Sequence, residues 1–531
     1  MRIVAVASLY FLYLFLHLIA GDTVVDTKYG QVRGKQTEHA NCFLGIPYAK
    51  PPTNELRWQP PEDPQVWTDV YNATELKPGC PQHGCFSTNP SFVCPKQTSE
   101  SCLFLNVFTP ANASAAQMLP VMVYIHGGNF VHISASSPIY KGDYFANKGQ
   151  VVLVTFDYRL GVLGFLYTGP KSSDAAGNYG IQDQRLALRW VNENIKYFGG
   201  DPEKVTLFGQ SAGGQSIPIH LMSEGTDDLF RNVIIESAPF DIPFKSPVEA
   251  VYLANLVLQF LNCTQDDYMP CLRSKTADEI AQAQLESRAK PTSLKILEFF
   301  EPLGPFVDGN IVPYEPVYAI QHNQLRKVPV MIGTMTEEAR IFVYEAWGKP
   351  VPPAEYLAIL FATYPSHVDQ MLKMYPYGSA TDTRDNITKL GTDFIFTCAT
   401  RNMSRHFYEN GQNVFRFEFA HSFSFNGWGN FSYCEGHVCH GEEIVYVFHS
   451  ADQSGFSFNE AEEVLSNQMI YYWTNFAYTS DPNKGPHTVN LQWPPYDSKS
   501  KMINFKTPNN AVIDHYVEKY CDFWDSIGYR A

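Results

Sequence analysis

The residues best suited to chemistry in this chain gather around one serine. The short apolar run Val205-Thr206-Leu207-Phe208 leads directly into Gly209-Gln210-Ser211-Ala212-Gly213-Gly214, and a second apolar segment follows. A buried strand entering Gly-x-Ser-x-Gly is the pattern of a nucleophile elbow, in which a serine attacks a carbonyl carbon. The glycines are a physical requirement, because a sharp strand-to-helix turn crowds backbone and side chains around a strained serine. Such a turn lifts Ser211 Oγ above the sheet edge and sets a helix N-terminus beneath the developing negative charge. The pentapeptide alone is common, so a second feature has to support it. His126-Gly127-Gly128-Asn129-Phe130 does so, directly after the run Val121-Met122-Val123-Tyr124-Ile125. Acyl transfer needs backbone N–H donors where a carbonyl oxygen becomes an oxyanion, and Gly128, Asn129 and Ala212 are the expected donors. An ordinary strand-ending Gly-Gly turn would explain this segment by itself; paired with Ser211 it does not.

These groups need a sheet to position them. Residues 121–125, 151–156, 205–208 and 328–332 are short, continuous, largely β-branched apolar runs. Runs of that kind suit strands buried on both faces. Between the second and third, residues 183–198 carry Leu186, Ala187, Trp190, Val191 and Ile195 at helical spacing, and Gly199-Gly200 end the helix. Strands alternating with helices predict an α/β fold around a largely parallel sheet. The first hundred residues are rich in Pro, Gly and Cys and predict a small antiparallel sheet with surface loops. At about 150 residues per domain, 531 residues would suggest three or four domains. No repeat or low-complexity linker divides the chain, however.

Composition narrows the function classes. Apolar residues make up 45%, aromatics 14% and charged residues only 18%, which excludes a disordered chain, a coiled coil and a collagen-like fibre. The net charge of −15 disfavours nucleic acid as a partner. It would attract a cation, although acidity also serves solubility.

The chain opens with Met1-Arg2, an apolar run over residues 3–20 and then Gly21-Asp22, which predicts a cleaved signal peptide over residues 1–20 and a mature domain over 21–531. No stable membrane anchor is expected, and export to the outside or to an endolysosomal lumen follows. Sequons begin at Asn72, Asn112, Asn262, Asn386, Asn402 and Asn430, in keeping with a glycosylated surface. The eleven cysteines suit a few disulfides on a large fold. Their spacing allows Cys80 with Cys102 around Cys85 with Cys94, Cys263 with Cys271, and Cys398 with Cys521, but sequence does not fix the connectivity. The odd cysteine is expected to be Cys42.

The chain resembles the carboxylesterase type-B family, the cholinesterase-like branch of the α/β-hydrolases, over nearly its whole mature length. The resemblance rests on Phe43-Leu44-Gly45-Ile46-Pro47-Tyr48-Ala49, on Ser99-Glu100-Ser101-Cys102-Leu103-Phe104-Leu105-Asn106-Val107, on Asp157-Tyr158-Arg159-Leu160-Gly161 and on Asn178-Tyr179-Gly180-Ile181-Gln182-Asp183-Gln184. It implies an α/β-hydrolase fold in one large domain, a Ser-Glu-His triad, small-molecule ester substrates and no cofactor. The family's acid matches Glu338 in Gly333-Thr334-Met335-Thr336-Glu337-Glu338, with Glu337 as the local rival. The base matches His440 in Cys439-His440-Gly441-Glu442-Glu443-Ile444. Ser211, Glu338 and His440 then follow the chain order of this fold. Cys434, His437, Cys439 and His440 lie close enough to suggest zinc, but a secretory route oxidises thiolates and the ligands are too tightly spaced. No metal site is expected there, and a Cys434–Cys439 disulfide is the better reading.

Several positions depart from the family pattern. Asn129 stands where a third glycine is usual, and Gln210 stands where Glu is common. The segment before Cys102 lacks the tryptophan that would hold a quaternary ammonium, Phe92 being the nearest aromatic. These changes favour a neutral ester over a choline ester. Ser101 replaces a usual aspartate, while Arg57 and Glu100 match another ion pair of the family. Phe299 and Phe300 fall, by resemblance, near the acyl pocket, though a core role suits them equally. Three functions therefore compete: a secreted serine carboxylesterase, a lipase with the loops between Cys80 and Cys102 as a lid, and a cholinesterase-like adhesion or storage protein. Oligomeric state and natural substrate are not encoded in any motif.

Overall fold

A computed structural model describes residues 23–85, 89–113, 115–171, 175–288, 301 and 303–529. The expected signal peptide, Phe299 and Phe300 lie outside the described residues. One sheet runs through the chain, built from β1 (Thr23–Thr27), β2 (Gly30–Gln36), β3 (Ala40–Pro47), β4 (Tyr71–Asn72), β5 (Phe104–Pro110), β6 (Leu119–Ile125), β7 (Val152–Phe156), β8 (Gly200–Gln210), β9 (Asn232–Glu236), β10 (Val330–Met335), β11 (Val414–Phe419), β12 (Met502–Phe505) and β13 (Ala511–Ile513). Its order is β1-β2-β3-β5-β7-β6-β8-β9-β10-β11-β12-β13, with β4 beside β2. Neighbours from β7 to β12 pair in parallel, whereas β1, β2, β3 and β5 form an antiparallel flank. This is the α/β-hydrolase arrangement expected of the sequence. The antiparallel N-terminal strands extend the edge of the main sheet.

The apolar runs become strands because both faces are covered. Val121, Val123 and Ile125 join one core cluster and Met122 and Tyr124 the opposite one. The helix expected over residues 183–198 begins earlier, as α1 (Tyr179–Asn194), and tightens into a 3₁₀ turn, Ile195–Phe198. Asn178 stands at its N-cap position, and Asp183, the expected first residue, is in its second turn. It lies buried inside it, accepting from Arg159 N, Nε and Nη2 at 3.0, 2.8 and 2.7 Å. Gly199, at φ +81°, closes the helix as its position suggested.

Further along the chain lie α2 (Ala212–Leu221), α3 (Arg340–Ala346), α4 (Arg384–Gly391), α5 (Cys398–Glu409) and α6 (Glu518–Ile527). A π-helical stretch, Thr392–Thr397, joins α4 to α5. The C-terminal segment covers the protein's own core: α6 packs on α5, with Trp524 fully buried and Arg401 paired to Asp522 and Asp525. Disulfides join Cys80 to Cys102, Cys85 to Cys94, Cys263 to Cys271, Cys398 to Cys521 and Cys434 to Cys439, while Cys42 is free and buried. Arg57 and Glu100 form an ion pair. Of the sequon asparagines, Asn72, Asn112, Asn262 and Asn430 are exposed and Asn386 is half-buried. Asn402 sits inside α5 at 5% exposure. A glycan there would have to displace the helix from its packing, so this sequon drops out of the expected set.

Candidate active site

β8 ends at Gln210 and α2 begins at Ala212, leaving Ser211 alone at the corner with φ 57° and ψ −124°. A non-glycine residue held there is strained, and the surroundings enforce it. Ser211 N donates to Glu236 O at the end of β9, and Ser211 O accepts from Gln215 N, both at 2.9 Å. A Cβ on Gly213 would lie 2.0 Å from Ile125 O. The first turn of α2 thus backs directly onto the end of β6, which only a glycine permits.

The loop after β6 lies beside this corner. Gly128 (φ 97°) and Asn129 (φ 53°) turn its backbone into the left-handed region. Asparagine is among the cheapest non-glycine residues in that conformation, which accounts for a non-glycine residue at position 129. The N–H groups of Gly128, Asn129 and Ala212 meet no protein acceptor among the described residues. His126 braces the loop from below: it stacks on Tyr158, and Tyr158 Oη donates to His126 O at 2.9 Å. Burial pushes the His126 imidazole down to about 4, so it stays neutral.

Glu338, fully buried after β10, accepts from Met335 N at 2.8 Å through Oε1. Its Oε2 lies 2.5 Å from His440 Nδ1. That bond fixes the proton on Nδ1 and leaves a lone pair on Nε2. Gln210 Nε2 sits 3.1 Å from that Nε2, so the Gln210 amide donates to it. No hydrogen bond joins Ser211 Oγ to His440 among the described residues. Phe342 and Phe396 pack on the imidazole with ring centroids 5.1 and 5.2 Å away. The rival acid Glu337 makes a separate pair with His437 Nδ1 at 2.7 Å, both side chains being about a third exposed. The Cys434–Cys439 bond stiffens the loop before His440 and removes both thiolates that zinc would need.

Two neighbours of His440 carry roles the sequence reading had not assigned. Glu442 accepts from Phe423 N at 2.6 Å and from Cys439 N at 3.1 Å, which ties the base loop down. Glu443 is fully buried, faces the charges of Glu236 and Glu338, and has no partner for either oxygen among the described residues. Burial drives the Glu236 carboxyl well above the usual carboxylate range, although Trp473 Nε1 donates to its Oε1 at 2.7 Å. A raised folded-state value means that the native state holds the proton more tightly than the unfolded chain, so stability falls as pH rises above the ordinary glutamate range. Glu236→Gln keeps the acceptor for Trp473 and removes the titration. Its melting temperature is expected to exceed the wild type's by a margin that widens from pH 5 to pH 8.5. A margin that stays constant with pH would contradict this.

Ser211, Asn129 and Phe342 line two cavities at once. One, of about 400 Å³, runs past Gln210, His440 and Phe92 to an aromatic wall of Phe423, Trp428 and Phe431. The other, of about 50 Å³, leaves Ser211 toward Glu301, Ile242 and the π-helical stretch. Of the pocket residues expected from sequence, Gln210 and Phe92 therefore face the larger cavity. Trp428, Phe431, Phe342 and Phe396 had not been expected. For Trp428 and Phe431 the signal was the aromatic density of residues 423–431, just ahead of His440; nothing in the sequence marked Phe342 or Phe396.

A model of the "Carboxylesterase family" matches residues 21–524 of the chain. The chain is 35% identical over 524 residues to the "Crystal protein" of Dictyostelium discoideum, covering 96% of this chain and 92% of that one. It is 34% identical over 476 residues to the "cAMP-regulated D2 protein" of the same organism, covering 89% and 86%. It is 31% identical over 537 residues to the "Cholinesterase" of Mus musculus, covering 95% and 86%.

Proposed function

The chain belongs to the carboxylesterase family, and from that premise we propose that it hydrolyses carboxylic esters through an acyl-enzyme on Ser211. The observation that carries this reading is the 2.5 Å contact between His440 Nδ1 and the buried Glu338 Oε2, with His440 lining the same cavity as Ser211. His440 Nε2 takes the proton of Ser211 as Oγ bonds to the acyl carbon. The carbonyl oxygen, now an oxyanion, accepts from the N–H groups of Gly128, Asn129 and Ala212. His440 returns the proton to the departing alkoxide, releasing the alcohol. Water, deprotonated in turn by His440, then splits the acyl-enzyme into the acid and free Ser211. For the first step Nε2 must exchange its bond from Gln210 to Ser211, a side-chain movement that an arriving substrate can trigger.

Several features support a secreted protein working on neutral esters. The disulfides suit an oxidising route, and four sequon asparagines are exposed. No helix among the described residues is long and apolar enough to cross a membrane. Purified protein is expected to turn over aryl esters best at short acyl length, with activity falling toward the decanoyl ester. A maximum at long chains would indicate a lipase, and no turnover above buffer at any length would overturn the proposal. Gln210 also sets the charge beside Ser211. Gln210→Glu is expected to raise kcat/KM for a choline ester, relative to its uncharged carbon isostere, by about tenfold at low salt, with the gain shrinking at high salt. An unchanged ratio would contradict that role.

A second reading is a scaffold or storage protein that has kept the fold. It draws on the Gln210 bond that occupies His440 Nε2 and on a relative named "Crystal protein".

A further inference from the structure

The smaller cavity at Ser211 holds a group that the proposed reaction does not use. His440 must protonate the departing alkoxide, so the alcohol half of the ester belongs on the side of His440, in the larger cavity. The smaller cavity lacks His440 and has Ser211 and Asn129 at its mouth, which makes it the acyl side. A water-sized group needs about 10–15 Å³ of such space, so about 50 Å³ takes roughly three to five non-hydrogen atoms.

Its walls are almost wholly apolar, with Ile242, Val343, Leu390 and Phe394 among them, yet Glu301 is part of the lining at only 6% exposure. Glu301 Oε2 accepts from Gln215 Nε2 at 3.1 Å, and Gln215 is itself 1% exposed and held by Pro239 O at 3.2 Å. Glu301 Oε1 has no partner among the described residues. Burial raises this carboxyl to about 7, with Gln215 and the charge of Lys245 opposing the shift. A buried acceptor without a donor, on a residue that shares a cavity lining with Ser211, is costly unless something donates to it. Gln215 lies one helical turn beyond Ser211 on α2, so its bond ties Glu301 to the helix that carries the serine. A butyryl-sized chain with a hydroxyl on its third carbon places four non-hydrogen atoms beyond the carbonyl carbon, which fits the cavity's volume.

We propose that Glu301 selects the acyl half of the substrate: the enzyme prefers esters of short 3-hydroxy acids, whose hydroxyl donates to Glu301 Oε1. The inference rests on the proposed esterase reading and names its substrate class. A neutral hydroxyl suits the site better than an ammonium, because Lys245 already places a positive charge near Glu301. In an apolar pocket without such an acceptor, an added hydroxyl only lowers binding.

The test compares kcat/KM for aryl butyrate, aryl 3-hydroxybutyrate and aryl 3-aminobutyrate on the wild type and on Glu301→Leu and Glu301→Gln. The wild type is expected to favour the hydroxy ester over the plain ester by about tenfold or more. Glu301→Leu should reverse the order, mainly by gaining on the butyrate, while Glu301→Gln keeps part of the preference. A wild-type ratio at or below one would overturn the inference, as would a ratio unchanged in Glu301→Leu or a stronger preference for the amino ester. The wild-type ratio decides by itself if the leucine variant fails to fold. Turnover of none of the three esters would instead sink the esterase reading.

Discussion

Replacing Ser211 with alanine is expected to lower kcat/KM on a short-chain aryl ester by about 10⁴-fold or more. The magnitude follows from what remains. Gly128, Asn129 and Ala212 still offer three N–H groups to the carbonyl oxygen, and both cavities still hold the ester. Without Oγ, however, His440 has only water to activate. The variant should fold normally, because the bonds that hold the corner, Ser211 N to Glu236 O and Gln215 N to Ser211 O, belong to the backbone. An unchanged melting temperature with activity near the buffer rate is the expected pair of results. Retention of a tenth or more of the wild-type rate would place the nucleophile elsewhere.

The second large effect separates two adjacent glutamates. Glu338→Gln is expected to reduce kcat by about 10³- to 10⁴-fold, whereas Glu337→Gln should leave it within a few-fold. An amide at 338 can turn its NH₂ toward His440 and drive the proton from Nδ1 to Nε2, the tautomer that cannot accept from Ser211. It also leaves the imidazolium unpaired in a nearly dry site, His440 being 10% and Glu338 0% exposed at the side chain. Glu337 bonds to His437 in a pair exposed by about a third. Such a pair contributes little. Side-by-side steady-state rates check this. A larger loss in the 337 variant would reverse the assignment of the acid.

Much of this was legible along the chain because it is local. The apolar runs had to be strands buried on both faces, and Gly209 and Gly213 had to flank a serine wherever helix and strand backbones meet this closely. Neighbours in sequence carry such requirements. The choice between Glu337 and Glu338 needed the family's register, since both carboxylates sit on one loop and each finds a histidine from the same distant segment. Contacts across long separations stayed hidden. Nothing near Gln210 announces that its amide reaches a histidine 230 residues away, and nothing near Glu301 announces Gln215. Asp183 carries the usual mark of a helix start, yet its burial against Arg159 put it inside α1. The sequon at Asn402 likewise follows the glycosylation rule, which takes no account of burial in α5. Trp428 and Phe431 stood in an aromatic run with no sign that they line the cavity that Ser211 lines.

The central claim is that Ser211 is a live nucleophile, activated by His440 despite the Gln210 bond seen at rest. An active-site-directed fluorophosphonate, read by intact mass and peptide mapping of glycosylated, folded protein, tests it most directly. The account predicts one phosphonyl group per chain, on Ser211, absent from Ser211→Ala and strongly slowed in Glu338→Gln. A folded sample that acquires no adduct, or acquires it on another residue, would contradict the account and leave the scaffold reading in its place.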